Sequence, residues 1–125
     1  KGKQMANDFK RFQVSSAATT TGASGSALYT VPAGAGSSAL EAIVIGITLA
    51  NKTDTGITGD IYFDGYDGTD TYIVKGASIP AGSSLEVMSG NKIVVMNDGS
   101  TGDVIRVSSG TATALDATIS VLEDV

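Results

Sequence analysis

The 125-residue chain contains no cysteine, no histidine and no tryptophan. Without cysteine it can form neither a disulfide nor a thiolate metal site. Without histidine it lacks the side chain best suited to proton transfer near neutral pH, which is also the commonest ligand of transition metals. Ser-His-Asp, Cys-His and His-zinc sites are therefore excluded. Because no residue pattern points to the remaining carboxylate or Ser-Lys chemistries, we predict a protein that is not an enzyme and uses no cofactor.

Long hydrophobic runs are also missing. The apolar stretches are far shorter than the roughly 20 residues that a membrane-spanning helix needs, and the N-terminus has no signal-peptide pattern. We therefore predict no membrane partner. The chain starts at Lys1, whereas Met5 resembles a natural start, so the sequence leaves open whether residues 1–4 are native.

Charge is scarce and unevenly placed. The net charge is −5. The first eleven residues contain four basic side chains and one acidic side chain, which gives +3. The other residues contain four basic and twelve acidic side chains, which gives −8. An acidic body repels nucleic acid, so we predict no nucleic-acid partner, whereas the basic N-terminus suits an acidic protein surface.

The two prolines mark a repeated phrase. Val31-Pro32-Ala33-Gly34 returns as Ile79-Pro80-Ala81-Gly82, and each copy is followed by serines, a leucine and a glutamate. Proline suits the second position of a β-turn and glycine the fourth, so we predict the same turn twice. A chain that repeats such a turn is typical of two related β halves closed on each other.

The rest of the chain predicts strands and no helices. Short apolar or alternating segments are separated by Gly-rich turns, which is typical of an antiparallel β-sandwich or jelly roll. We predict a sandwich domain over residues 27–125, with about eight strands at 27–31, 40–51, 58–64, 71–75, 85–88, 92–96, 104–108 and 117–122. In the longest strand we expect Ile43, Ile45, Ile47 and Leu49 on one face, with Val44, Gly46, Thr48 and Ala50 on the other. In the last strand we expect Leu115, Ala117, Ile119 and Val121 to line one face. In the strand at 58–64 the acidic residues Asp60 and Asp64 are expected on a solvent face.

We predict that residues 1–26 form a flexible arm and connector. Phe9 to Val14 has a weak strand pattern, and residues 15–26 are Ser, Thr, Ala and Gly with too little apolar surface to order themselves. Phe9, Lys10, Arg11 and Phe12 are candidate partner-binding residues, because such a segment can lend a strand to a neighbouring subunit. The alternative is that they fold back onto the chain's own sandwich.

Acidic residues cluster in the predicted hairpin at 58–75. Asp64, Asp67 and Asp70 lie on a Gly-rich loop close after Asp60, and carboxylates on an adaptable loop suit calcium. The spacing is not that of an EF-hand, and Asp-Gly pairs are ordinary turn formers. Calcium is therefore a weak candidate, and we predict no metal.

Three of the four tyrosines, Tyr62, Tyr66 and Tyr72, lie in or beside the same hairpin. Tyrosines near carboxylates can form a sugar-binding face or a protein contact surface. They also serve as cross-strand pairs, which is the structural alternative.

The order of these motifs resembles a known family. Ala27-Leu28-Tyr29-Thr30 before the first proline phrase, the Ile-rich strand ending in Leu49-Ala50-Asn51, and the C-terminal Ile119-Ser120-Val121-Leu122-Glu123 are similar to small β-sandwich structural proteins of tailed bacteriophages, notably marine and cyanobacterial phages. The resemblance covers about residues 26–123 and consists of structural turns and strands.

This resemblance implies a non-enzymatic component of the virion that assembles in the host cytoplasm. The first expectation is a capsid decoration protein that binds the major capsid protein through its N-terminal arm and forms a homo-oligomer, with a trimer as one option. The alternatives are a neck, tail or fibre component that binds other virion proteins, or a glycan-binding module that uses the three tyrosines.

Overall fold

The strands were located in a computed structural model, which describes residues 7–88 and 90–124. This part of the chain contains one short 3₁₀ helix at Gly22–Ser24 and no helix long and apolar enough to cross a membrane. The strands are β1 (Asn7–Val14), β2 (Ser26–Thr30), β3 (Leu40–Asn51), β4 (Ile57–Asp64), β5 (Asp70–Ile79), β6 (Ser84–Glu86), β7 (Ile93–Asn97), β8 (Val104–Ser109) and β9 (Leu115–Asp124).

The strands form two antiparallel sheets packed face to face. Sheet A has the order β1-β9-β3, and both β6 and β7 pair with the remaining edge of β3. Sheet B has the order β2-β8-β4-β5. The first half of the chain pairs with the second half in reverse order, so that β1 meets β9, β2 meets β8 and β4 meets β5. This is the pairing of a jelly roll, and the predicted all-β sandwich is confirmed.

The core lies between the two sheets. Alternate residues of each strand point inward, as the two-residue period of a strand requires. In β9 the predicted inward face is confirmed, since Leu115, Ala117, Ile119 and Val121 are all buried. They pack with inward residues of sheet B, among them Leu28, Ile61, Ile105 and Val107.

The predicted faces of β3 are wrong in its first half. The pairing of β3 with β9 shifts between Val44 and Gly46, so Ile45 is an extra residue in a β-bulge. A bulge of one residue exchanges the two faces of the strand on one side of it. Val44 is therefore buried together with Ile47 and Leu49, whereas Ile43 and Ile45 lie on the opposite, outer face of sheet A.

The N-terminal segment also differs from the predicted arm. Residues 7–14 form the edge strand of sheet A, in continuous register with β9 from Asn7 opposite Asp124 to Val14 opposite Ala117. This is the alternative in which the segment folds back onto its own sandwich. Residues 1–6 of the predicted arm lie outside the described residues.

The predicted connector crosses from β9 in sheet A to β8 in sheet B. Ala17 is buried and its N–H donates to the carbonyl of Leu115, while Ala18 forms a bridge with Ser108. Arg106 Nη1 donates to the carbonyl of Gly25 at 3.2 Å. Backbone hydrogen bonds thus hold this segment although its composition offers few apolar contacts.

Asp60, expected on a solvent face, is buried nearby and accepts hydrogen bonds from Ser108 Oγ and from the N–H of Gly76.

The two proline phrases have the same place in the fold but different turns. Each carries the chain from sheet B to sheet A, from β2 to β3 and from β5 to β6. Pro80 is the first residue of its turn, because its carbonyl accepts the N–H of Ser83. In the other phrase the turn lies further on, from Gly34 to Ser37. The predicted position of proline within the turn is therefore wrong.

Two buried asparagines at strand ends hold the two phrases. Asn51, the last residue of β3, donates through Nδ2 to the carbonyls of Ile79 and Pro80 at 3.0 and 3.1 Å. Asn97, the last residue of β7, donates to the carbonyl of Val31 at 2.8 Å. The contacts with Val31 and Ile79 give a hydrogen-bond partner to the carbonyl that precedes each proline.

Candidate assembly surface

The outer face of sheet A carries a row of apolar side chains. Residues that are paired across neighbouring strands point to the same side of a sheet. Phe9 is opposite Leu122, Leu122 is opposite Ile43, and Ile43 is opposite Val94. These four side chains, called here the apolar row, run across all of β1, β9, β3 and β7. Phe9 is 74% exposed and Val94 is 56% exposed, so the row faces solvent.

Charged residues lie on both sides of the apolar row. On one side, Asp124 of β9 is opposite Glu41 of β3, and these two carboxylates are called here the acidic pair. On the other side, Arg11 of β1 is opposite Ser120 of β9, next to the exposed Ile45 of the bulge. On that same side the carboxylate of Glu86 reaches Gly46 of β3, so the second border carries charges of both signs.

A groove of about 250 Å³ crosses this face. It is lined by the acidic pair together with Ile43, Val94 and Leu122. A second groove of similar volume lies around Phe9, Arg11 and Ile45. The bulge in β3 is the reason why two isoleucines contribute to these grooves rather than to the core.

The outer face of sheet B is different because the chain covers part of it. The 3₁₀ helix lies against β4 and β8, with Gly22 near the ring of Tyr62, and Arg106 joins Gly25 to Asp64. Over the apolar row of sheet A, the described residues place no comparable segment. Sheet A is thus the face available to a partner.

The four candidate residues of β1 separate into two pairs. Phe9 and Arg11 point outward and belong to the surface just described, whereas Lys10 and Phe12 point toward the body of the protein. The ring of Phe12 lies 5.1 Å from that of Tyr29, centroid to centroid. Phe9 is therefore the more open of the two phenylalanines, at 74% exposed against 37% for Phe12.

Lys10 lies over two buried polar side chains, Tyr29 and Glu123, in a contact that the sequence did not predict. Glu123 is 1% exposed; its Oε2 accepts a hydrogen bond from the Tyr29 hydroxyl at 2.5 Å, and its Oε1 lies 3.1 Å from Lys10 Nζ. The Oε1 contact lacks hydrogen-bond alignment, so Lys10 acts there mainly through its charge. The nearby carboxylate of Glu123 raises the pKa of Lys10, and burial, followed by the hydrogen bond to Glu123, raises the pKa of Tyr29.

The acidic loop does not form a cation site in this structure. The Asp64 carboxylate pairs with Arg106 Nε at 2.9 Å, Asp67 accepts the N–H of Thr69, and Asp70 accepts the N–H of Gly65. Within residues 7–88 and 90–124, no group of three or more acidic side chains is arranged to hold a metal ion. The hydrogen bonds are those of ordinary turn-forming aspartates.

The three candidate tyrosines do not share one face. Tyr62 and Tyr72 are directly paired between β4 and β5, and their rings meet edge to face with centroids 4.9 Å apart. Tyr66 lies in the following loop, where its N–H donates to the buried Asp103, and it lines an open pocket of about 260 Å³ with Phe63 and Met96. The cross-strand pair was the structural alternative for Tyr62 and Tyr72.

Comparisons with known proteins do not assign a family. No family model matches the chain, and no curated protein matches it. Among solved structures, a chain from Bacillus endospore appendages, described as a novel family of disulfide-linked pili, is 16% identical with a TM-score of 0.37. The match covers 98% of this chain and 90% of the pilus chain. A similarity this low assigns neither a fold nor a role.

Proposed function

We propose that this protein is a non-enzymatic structural subunit of a tailed-phage virion, and specifically a decoration protein that binds the major capsid protein at its N-terminal strand. The observation that carries the proposal is the position of β1 in the sheet, together with its exposed side chain and its charge. It is the edge strand of sheet A and carries the highly exposed Phe9, and it belongs to a basic segment on an otherwise acidic protein.

An edge strand offers a partner two kinds of contact. Its unpaired backbone groups can accept a further strand, and its exposed side chains can pack against the partner. The +3 charge of the first eleven residues adds attraction to an acidic shell, while the −8 charge of the remainder disfavours approach in other orientations. A weak contact of this kind becomes effective on a shell because it is repeated in many copies.

The decisive experiment adds the purified full chain to particles that lack it and images them by cryo-electron microscopy. Decoration predicts density at regular sites over the capsid lattice, with the edge of β1 against the shell. Density confined to the neck or tail would replace decoration by the second role that the phage resemblance implies. Absence of density everywhere would overturn the virion role and leave glycan binding as the hypothesis to pursue.

A truncation tests the contact itself. Deletion of residues 1–6 removes Lys1 and Lys3 but keeps β1, so we expect a wild-type melting temperature together with weaker particle binding and a smaller dependence on salt. Deletion of residues 1–14 is unsuitable, because it also removes Lys10 and Phe12 from the body of the protein. Unchanged binding after deletion of residues 1–6 would show that the basic N-terminus is not part of the contact.

A further inference from the structure

We propose that two copies of this chain associate edge to edge through β1, by antiparallel pairing about a two-fold axis that passes between the two Phe9 residues. The partner is a second copy of the protein, and the two sheets A then form one continuous sheet. The inference concerns the free protein and does not rest on the virion role. Since the same edge cannot hold two partners at once, binding to a capsid protein would require the dimer to open.

Among the edge strands of residues 7–88 and 90–124, β1 is the one that is both long and regular. It keeps a single register with β9 over its eight residues, and it contains neither proline nor glycine. The other edges are less suited to pairing. β6 and β7 have three and five residues, and register shifts interrupt the pairing of β2 and β5. A long regular edge presents a row of backbone groups that can accept a further strand.

The charges along this edge change sign within a few residues. Asp8 lies opposite Glu123, and Asp124 follows at the end of β9, so this end of the edge is acidic. Lys10 and Arg11 make the next part of β1 basic. Antiparallel pairing of two identical strands lays the basic part of each copy against the acidic part of the other. This complementarity identifies the second copy as the occupant of the edge.

The pleat of the strand restricts the register of the pairing. Paired residues must point to the same side of the sheet, so one residue of β1 has to lie opposite its own counterpart on the axis. With Phe9 on the axis, Asp8 of each copy lies opposite Lys10 of the other at about 5 Å, while like charges lie on diagonals of about 7–8 Å. Arg11 of one copy then lies two strand spacings, about 10 Å, from Asp124 of the other.

The neighbouring registers are poorer. An axis at Asp8, Lys10 or Arg11 sets two like charges directly opposite each other, which opposes association. An axis at Phe12 leaves both basic residues of β1 without an acidic residue opposite them. Glu86 does not alter this comparison, because it lies on β6 on the far side of sheet A from β1.

The same register extends the apolar row across the dimer. Phe9 is highly exposed in the single copy, and opposite its counterpart it forms an aromatic cross-strand pair. The pair buries apolar area, which adds stabilisation to that of the opposite charges. The row then runs without interruption from Val94 of one copy to Val94 of the other.

The first test uses the absence of native cysteine. Directly paired residues have Cα atoms about 5 Å apart, which suits a disulfide, so Phe9→Cys should form a covalent dimer under mild oxidation. Gln13→Cys is the matched control, because Gln13 is exposed on the same strand and face. In the proposed register the two Gln13 residues lie eight residues, about 27 Å, apart, so their cross-linking should be at least tenfold slower. Equal rates for the two variants would indicate random collision and would contradict the register.

The second test is sedimentation equilibrium of the full chain without any particle. We expect a monomer–dimer equilibrium. Asp8→Lys sets a lysine opposite Lys10 twice in each dimer, so we expect it to weaken association about tenfold or more. Asp54→Lys makes the same change in net charge in the β3–β4 loop and should leave association unchanged. Both aspartates are exposed, so wild-type melting temperatures serve as the folding control.

Two outcomes of the second test would overturn the proposal. One is a wild-type protein that remains monomeric at concentrations up to about 1 mM. The other is a dimer that Asp8→Lys and Asp54→Lys affect equally. Neither outcome bears on the virion role, which the experiment with particles tests separately.

Discussion

At the scale of single residues, buried side chains that bridge the two halves of the chain hold this fold together. Asn51 connects the end of β3 to the second proline phrase, and Asn97 connects the end of β7 to the first. The carboxylate of Asp103 accepts the N–H groups of Tyr66 and Met96, which joins the β4–β5 loop to β7. Each of these residues has at least one partner that is 28 or more residues away in the sequence.

Asn51 gives the sharpest residue-scale prediction. Its Nδ2 donates to the carbonyls of Thr55, Ile79 and Pro80, and its Oδ1 accepts from Thr53. Asn51→Ala removes all of these hydrogen bonds, including the buried one to Ile79, so we expect it to reduce the free energy of unfolding by about 2–4 kcal/mol. Urea denaturation measures the effect. The control is Asn91→Ala at an exposed position, where a loss above about 0.5 kcal/mol would be unexpected.

The cluster of Lys10, Tyr29 and Glu123 predicts sensitivity to alkali. Contact with Glu123 raises the pKa of Lys10, and burial raises that of Tyr29. A group whose pKa is raised on folding contributes stability that is complete below its unfolded pKa and is lost as pH rises through its folded pKa. Both unfolded values lie near pH 10, so we expect stability to fall above about that pH.

Urea midpoints measured between pH 7 and pH 11 check this prediction. The decline should be shallower in Lys10→Gln, which removes one of the two titrating groups, than in Lys92→Gln, whose side chain is exposed. Identical profiles for the two variants would show that Lys10 does not contribute to the alkaline loss.

At the scale of elements, the bulge in β3 decides which residues reach the surface. Because Ile45 is an extra residue, Glu41 and Ile43 face outward while Val44 faces the core. Without the bulge the first half of β3 would bury Glu41 and expose Val44. One inserted residue thus brings Glu41 to the acidic pair and Ile43 to the apolar row.

Deletion of Ile45 tests that role. It would force either the faces of residues 40–44 or the pairing of β3 with β9 to change, so we expect a loss of several kcal/mol or failure to fold. Ile45→Val keeps the residue count and removes only one methylene from a partly exposed side chain, so its cost should stay below about 1 kcal/mol. Thermal unfolding followed by circular dichroism distinguishes the two. A deletion variant as stable as Ile45→Val would mean that the bulge is dispensable.

The elements also show what the sequence can predict. The strands of the body follow from alternation and turn residues, and β9 has the predicted inward face because it contains no bulge. The faces of β3 were not predictable, since nothing in its composition shows where pairing with β9 shifts. The placement of residues 7–25 depends on distant partners such as Glu123, Leu115 and Ser108, and local composition carries no signal of them.

At the scale of the whole molecule, the jelly roll brings its two terminal strands together. Asn7 is opposite Asp124, so the ends of the described chain are antiparallel neighbours in sheet A. The long-range pairs β1–β9 and β3–β9 make up much of the fold, and such topologies fold slowly because loop closure precedes the stabilising contacts.

Circular permutation tests this whole-molecule arrangement. Joining Val125 to Lys1 and opening the chain between Thr111 and Ala112, both exposed, keeps every sheet pairing. We expect the permutant to show the far-ultraviolet spectrum of the wild type and to fold faster, because the β1–β9 pair becomes local. A permutant that does not fold would indicate that the order of strand synthesis matters more than the final pairing.

One consequence follows from the unequal outer faces of the two sheets. Part of the chain lies over sheet B, whereas no segment of residues 7–88 and 90–124 lies over the apolar row of sheet A, so the two outer faces differ. Copies laid side by side in one orientation would form a layer with two unlike sides, with every apolar row on one side and every covered face on the other.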